Sequence, residues 1–262
     1  MPTENLNVAL LPLDIRFAQP KANLDMVCDR IRTLPKDIDL VVLPEMFNVG
    51  FGEYPDGVLH FAEPDDGPTV ETMKILSHEL SIAICGGFIG KNGDYIYNRC
   101  FFVADGKTMG FYNKRHLFYG PESRLFTPGT TQPPVINYKS WRIRPFICFD
   151  LRFPVWTRTT GNDVDVMIFI ANWPHARYYA WRHLSIARAI ENQAVVLSCN
   201  REGEDFYGKY ERGDSLIIDS YGNEIGTTTD DGTIMATLSF ESFNTSRKKL
   251  QPWRVADCFE LK

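Results

Sequence analysis

The stretch Trp141–Trp156, WRIRPFICFDLRFPVW, runs a β-prone segment into a lone cysteine and then changes character. Ile143, Phe146 and Ile147 make the apolar run ahead of Cys148, while Asp150, Arg152 and Pro154 supply the turn and helix-start chemistry that begins a helix near Phe153. A thiol at such a bend projects past the end of a strand. The bend also aims a backbone N–H and a helix N-terminus at the sulfur, which lowers a thiol pKa and helps to hold an oxyanion. Taken alone, Cys148 reads as a small buried hydrophobe, because free cysteine is among the most buried residue types. The rest of the chain has to overturn that reading.

Working outward, Leu6–Leu11 is a buried strand, and a helix opens at Pro20, with Leu24, Val27, Cys28 and Ile31 at helical spacing before Pro35 ends it. The near-continuous apolar run IDLVVLP suits a strand covered on both faces and delivers Glu45 just past its end. A Gly, Pro and Asp-rich loop over 48–68 precedes a helix over Thr69–Leu80 and a strand over Ser81–Ile89. Asp105-Gly106 then joins two arms of a hairpin, the second ending at Lys114. Glu45, Lys114 and Cys148 thus each follow a β-like run directly. Arg115–Gly129 is a loop carrying Glu122. Beyond the elbow come a strand over Val164–Ala171 ending in Asn172-Trp173-Pro174, a helix over Tyr179–Gln193 with Arg188 and Glu191 on a polar edge, a strand in AVVLSCN, and a β-meander closing on a helix over Phe240–Leu250. Alternating β and α elements with added hairpins imply sheet layers with helices outside them.

Bulk properties narrow the classes. The 262 residues, 44% hydrophobic and 23% charged, fit one globular domain over 1–262. A formal net charge of −5 argues against a nucleic-acid surface, and Arg247, Lys248 and Lys249 read as a solvated helix end with no interleaved aromatics to stack on bases. The N-terminus MPTENLNVALLPLD resembles no signal peptide, and no apolar run reaches membrane-spanning length. Cys28, Cys85, Cys100, Cys148, Cys199 and Cys258 are dispersed with no CxxC pair, which favours reduced thiols in a cytoplasmic protein over disulfides or structural zinc.

A catalytic thiol needs a base, donors for the tetrahedral oxyanion, and an acid for the leaving group. Glu45 can take the Cys148 proton and return it to departing ammonia, and Lys114 can stabilise thiolate and oxyanion together with the backbone N–H of Phe149. His116, close after Lys114, is the alternative base. The other histidines sit in no local pattern that recommends a cysteine–histidine pair, and GxSxG, HExxH, GxxxxGK[ST] and GxGxxG motifs are absent from the sequence. No metal or other cofactor is called for.

PEMF around Glu45, NKRHLF around Lys114 and ICFDLRFPVW around Cys148, in that order, resemble the three signature blocks of the carbon–nitrogen hydrolase (nitrilase) superfamily; ANWP, ARAIENQ and RGDS extend the resemblance over essentially the whole chain. It implies an α/β fold, a four-layer α-β-β-α sandwich, with thioester chemistry on Glu45, Lys114 and Cys148. A second glutamate in the loop after the lysine is also implied, and Glu122 is the one that fits, orienting the lysine or the substrate amide. Pairing into a homodimer through the helix after the elbow and the helix over Tyr179–Gln193 is a further implication. Within the superfamily the wording is most similar to the ω-amidase type, which hydrolyses the terminal amide of small carboxylate-bearing ω-amides such as α-ketoglutaramate. A nitrile or N-carbamoyl substrate, or an inactive binding protein on the same fold, are the competing readings. A carboxylate-bearing substrate calls for a bidentate clamp, for which Arg177 and Arg152 are the candidates, Arg152 reading rather as structural, a brace of the bend with Asp150. Asn172, Trp173, Phe47 and Phe118 are the remaining candidates for the substrate pocket.

Overall fold

Strand-ending prolines and glycines cut the chain where the sequence places them, as described by a computed structural model over residues 4–54, 56–257 and 259. The first half holds β1 (Leu6–Leu10), α1 (Pro20–Arg32), β2 (Leu40–Val42), α2 (Pro68–Leu80), β3 (Ala83–Asn92), β4 (Tyr95–Ala104) and β5 (Lys107–Asn113). The middle holds α3 (Pro121–Leu125), β6 (Ile136–Tyr138), β7 (Trp141–Ile147), α4 (Pro154–Thr157), β8 (Val166–Ala171), α5 (Tyr178–Asn192) and β9 (Val195–Asn200). Five short strands and a helix finish the fold: β10 (Gly203–Asp205), β11 (Gly208–Tyr210), β12 (Leu216–Ile218), β13 (Thr227–Thr228), β14 (Ile234–Leu238) and α6 (Phe240–Lys249).

Two sheets result, ordered β13-β14-β1-β2-β3-β4-β5 and β12-β9-β8-β7-β6, with β10 and β11 as a separate hairpin. In each sheet three strands run parallel, β1-β2-β3 in one and β7-β8-β9 in the other, and antiparallel neighbours complete the edges. The period-2 alternation of β1 shows how the layers form. Leu6, Val8 and Leu10 join Phe146, Ile168 and Ile170 in the core that includes the space between the sheets. Ala9 points the other way and packs with Val27 and Ile31 of α1 and Val70, Met73 and Leu76 of α2. Trp181 and Ala189 of α5 and Phe243 of α6 belong with the second sheet. Each fully buried Val, Leu, Ile, Phe or Met side chain among these contributes roughly 1.5–3 kcal/mol. The product is the α-β-β-α sandwich.

The Asp105-Gly106 turn has φ of 52° and 71°, the left-handed pair a two-residue hairpin requires. Several expectations need correction. The loop after Lys114 contains α3, and the loop over 48–68 contains a 3₁₀ turn at Val58–Phe61. Arg188 is buried rather than on a polar edge, donating to the Leu151 carbonyl and to Glu191. Arg247 is buried as well, paired with Asp165 and bonded to the Gln193 and Val164 carbonyls. It closes α6 onto the second sheet, while Lys248 and Lys249 stand exposed as expected. Cys28, Cys85, Cys100, Cys148 and Cys199 are free thiols, and Cys258 lies outside the described residues.

Candidate active site

The two sheets deliver three side chains to one place. β2 passes through Leu43 and Pro44 to Glu45, β5 ends at Asn113 and gives Lys114, and β7 ends at Ile147 and gives Cys148. Met46 (φ 47°) and Cys148 (φ 45°) are both left-handed, a conformation that costs a side-chain-bearing residue about 1–3 kcal/mol. At Met46 the twist sends consecutive side chains apart: Glu45 into the cavity and Phe47 into the layer between the first sheet and its helices, against Phe101. Phe47 is therefore core and not pocket wall. The Glu45 turn can sit this low only because β3 has a glycine beneath it. A Cβ on Gly87 would lie 2.8 Å from the Met46 nitrogen and 2.9 Å from the Glu45 Cα.

Glu45, Lys114, Glu122 and Asn98 are 1%, 2%, 0% and 0% exposed, so their polar groups must find partners within the protein. Lys114 Nζ donates to Glu45 Oε1 at 2.9 Å and to Glu122 Oε1 and Oε2 at 2.8 and 2.9 Å. Asn98, on β4, donates through Nδ2 to Glu45 Oε1 and to Glu122 Oε1, both at 2.6 Å. Backbone amides fill the remaining sites: Asn172 N–H on Glu45 Oε2 at 2.8 Å, and Phe118 N–H on Glu122 Oε2 at 2.6 Å. Two carboxylates are thus held around one ammonium, beside Cys148 in a cavity of about 400 Å³.

Burial alone would lower the Lys114 ammonium, but Glu122 and then Glu45 outweigh it and hold it above the usual lysine range. Glu122 is raised by burial, against the pull of Lys114, with Glu45 adding to the rise. The Cys148 thiol is pushed well above its usual value by the packed protein around the sulfur, although the residue is part-exposed to the cavity; Glu45 raises it further and Lys114 only partly offsets this. The lowering expected from the bend is overridden by burial first and then by Glu45, with Glu122 adding to the rise.

Asp150 and Arg152 do not brace the elbow together. Asp150, fully buried, accepts from Tyr112 Oη at 2.7 Å and from the backbone N–H groups of His116 and Ile147 at 3.1 and 3.2 Å, and lies 2.8 Å from His116 Nδ1. It ties the segment bearing Lys114 to the elbow bearing Cys148. This also disposes of His116 as the base: its ring is stacked on Phe153 at 3.6 Å and engaged by Asp150, away from the cavity wall. Arg152 instead turns to the cavity, its guanidinium 4.8 Å from the Trp173 ring centroid.

Of the other sequence candidates, Phe149, Trp173, Arg177, Asn172 and Phe118 all line the cavity. The Asn172 side chain also supports Glu45, donating to its backbone carbonyl at 2.9 Å. Sequence reasoning missed Asn98, Phe51, Tyr207 and Tyr210, the last three on the cavity wall. Asn98 left one signal, a lone amide within the apolar run of β4. Tyr207 and Tyr210 arrive on the β10–β11 hairpin from a distant part of the chain and left none.

The family model described as carbon–nitrogen hydrolase matches residues 7–248. The chain is 38% identical over 225 residues to omega-amidase YafV of Escherichia coli (strain K12), covering 85% of this chain and 86% of that protein. It is 30% identical over 241 residues to 2-oxoglutaramate amidase of Bacillus subtilis (strain 168), covering 89% and 91%. Among solved structures it is similar, at a TM-score of 0.92 and 32% identity, to a carbon–nitrogen hydrolase superfamily protein from Xanthomonas campestris that holds an arsenic adduct in its active site. That likeness covers 99% of this chain and 100% of the other.

Proposed function

The chain belongs to the carbon–nitrogen hydrolase family and is a hydrolase acting on amides, and on that premise we propose that Cys148, Glu45 and Lys114 are its catalytic residues. The observation that carries this reading is the convergence of three strand ends on one cavity, with Lys114 Nζ bonded to Glu45 on one side and Glu122 on the other. Glu45 takes the thiol proton as sulfur attacks the amide carbon, which avoids forming a free thiolate between two carboxylates. Lys114 Nζ bonds Glu45 through one oxygen and Glu122 through two; with one N–H shared between the two Glu122 oxygens, its third N–H serves the developing oxyanion together with the backbone N–H of Phe149. Collapse of the tetrahedral intermediate breaks the C–N bond, and the leaving nitrogen takes the proton from Glu45 and departs as ammonia. Water then attacks the thioester, gives its proton to Glu45, and a second collapse releases the acid and returns the proton to sulfur. Glu122 orients Lys114 throughout.

The substrate is a small ω-amide carrying a carboxylate at its far end. The similarity to an omega-amidase and a 2-oxoglutaramate amidase supports this class, as does a cavity sized for a small molecule with the exposed Arg177 guanidinium on its wall. Ammonia release should be measured from α-ketoglutaramate, glutamine, a nitrile and an N-carbamoyl amino acid. The ω-amide is expected to give the highest kcat/KM. Ammonia from the nitrile or carbamoyl compound alone would overturn the substrate class, and none from any of them would leave a binding protein.

We also propose a homodimer. Tyr179 and Ile190 of α5 stand 76% and 48% exposed, and the turn at Tyr221-Gly222 packs beside Ile190, so this face carries apolar surface that a second copy would cover. Light scattering is expected to give twice the chain mass; a monomer at micromolar concentration would refute it.

A further inference from the structure

We infer that Tyr207, at the tip of the β10–β11 hairpin, is a specificity-determining residue: with Phe51 it closes the outer end of the active-site cavity and sets the largest acyl chain that an amide substrate can carry. This rests on the amide-hydrolase reading of the same cavity. Asp205 pairs with Gly208 across the hairpin, so Phe206 and Tyr207 are the two residues of its turn. Such a tip is the usual place for Asn, Asp or Gly, which take the tight backbone at little cost and leave nothing apolar in water. Two aromatic rings there work against the local preference, and departures of that kind collect where function requires them. Phe206 stands 96% exposed, and its ring meets Tyr207 edge-on at 5.6 Å. Tyr207 is half-buried, lines the cavity and lies against Phe51 with ring centroids 5.1 Å apart.

The two rings come from separate loops, and each loop is fixed from behind. The Asp205 carboxylate accepts from the Tyr207 N–H at 2.8 Å and from Tyr210 Oη at 3.0 Å, and it pairs at 2.8 Å with the fully buried Arg201, whose guanidinium lies 4.7 Å from the Tyr210 ring centroid. On the other side Tyr54 donates to the Gly50 carbonyl at 2.6 Å and stacks on Phe17, which holds the turn that carries Phe51. The wall is therefore set before a ligand arrives. Glu45, Lys114 and Glu122 lie at the buried end of the cavity. Burial pushes the Tyr207 hydroxyl up, Glu53 and Asp205 add to the rise and Arg124 opposes it; Glu53 and Arg124 form an exposed ion pair at 3.7 Å, which puts this ring at the outer end. The hairpin belongs to neither sheet, so its tip can be reshaped without disturbing the strands that deliver Glu45, Lys114 and Cys148. An acyl chain that fits inside the wall buries its methylenes against Phe51, Phe118 and Tyr207, whereas a longer one must displace two braced rings. The class selected is a short-chain amide.

The test is a series of half-amides of succinic, glutaric, adipic and suberic acids, read as the ratio of kcat/KM for the suberic member to that for the succinic one. Tyr207→Ala is expected to raise this ratio about 10- to 100-fold, since a pocket rejects each methylene too many by about tenfold or more and gains about fourfold for each one newly buried. Tyr207→Phe, which restores the ring, is expected to return the ratio to the parent's. An unchanged ratio in Tyr207→Ala with a native circular dichroism spectrum would overturn the inference, as would a ratio in Tyr207→Phe as high as in Tyr207→Ala. Should Tyr207→Ala fail to fold, Phe51→Ala opens the same wall and is held to the same outcomes. In protein carrying Cys148→Ala, calorimetry on the same series should show suberic half-amide binding strengthened relative to succinic by the same factor when Tyr207→Ala is added. If no amide were turned over while that gain in binding remained, the amide-hydrolase reading would fall and the wall would stand.

Discussion

Cys148→Ala is expected to lower kcat for amide hydrolysis by on the order of 10⁴- to 10⁶-fold without unfolding the chain. The size follows from what remains. Lys114 and the Phe149 N–H still polarise a carbonyl, but with no sulfur there is no thioester, and water must attack the amide directly. Alanine fits the elbow with fewer atoms and meets the same left-handed backbone, so the fold is retained. Mass spectrometry should find an acyl adduct on the parent chain when the reaction is quenched and none on the variant. Turnover comparable to the parent's would end the nucleophile assignment.

Lys114→Met is expected to be the most destabilising single change at the site, by about 3–5 kcal/mol, because it leaves two buried carboxylates facing one another without their cation. For a chain of this size the melting temperature should drop by on the order of 10 °C. The pH dependence has a definite sign. Burial already raises Glu122, and the lysine is the principal group opposing that rise. Without it the folded-state pKa climbs further above the unfolded one, so the stability present below the unfolded value is lost as pH rises through the interval up to the folded value. The variant should therefore lie nearest the parent in stability at about pH 4–5, around the unfolded carboxyl range, and fall away as pH rises. Urea unfolding across that range measures it. A deficit that grew as pH fell would contradict the arrangement of charges. Activity should fall as well, by on the order of 10²- to 10³-fold for the lost oxyanion donor.

The strands and the ends of strands were legible because their apolar runs are local signals: LNVAL runs out at Leu11-Pro12, LVV at Leu43-Pro44 and RPFI at Cys148. The burial of charge was not legible. Arg188 and Arg247 look like solvent-facing residues in sequence, and each is buried by a partner at the far side of the fold. The same blindness explains Arg152. An arginine two residues after an aspartate reads as its partner, but Asp150 is saturated by Tyr112, His116 and Ile147, which arrive partly from another sheet. Phe47 failed for a backbone reason, since no residue pattern announces that Met46 would turn left-handed.

Glu45 and Lys114 leave one sheet and Cys148 leaves the other, so under the proposed mechanism neither layer holds a working half of the chemistry. Hydrolysis is in effect a gauge of how well the two sheets are seated. A misplacement of about 1 Å between reacting groups can cost on the order of 100-fold in rate. A molecule whose layers had slipped by that much would keep its strands, helices and spectroscopic outline and lose its turnover. Loss of activity would then mark the first parting of the sandwich, well ahead of the melting of either face.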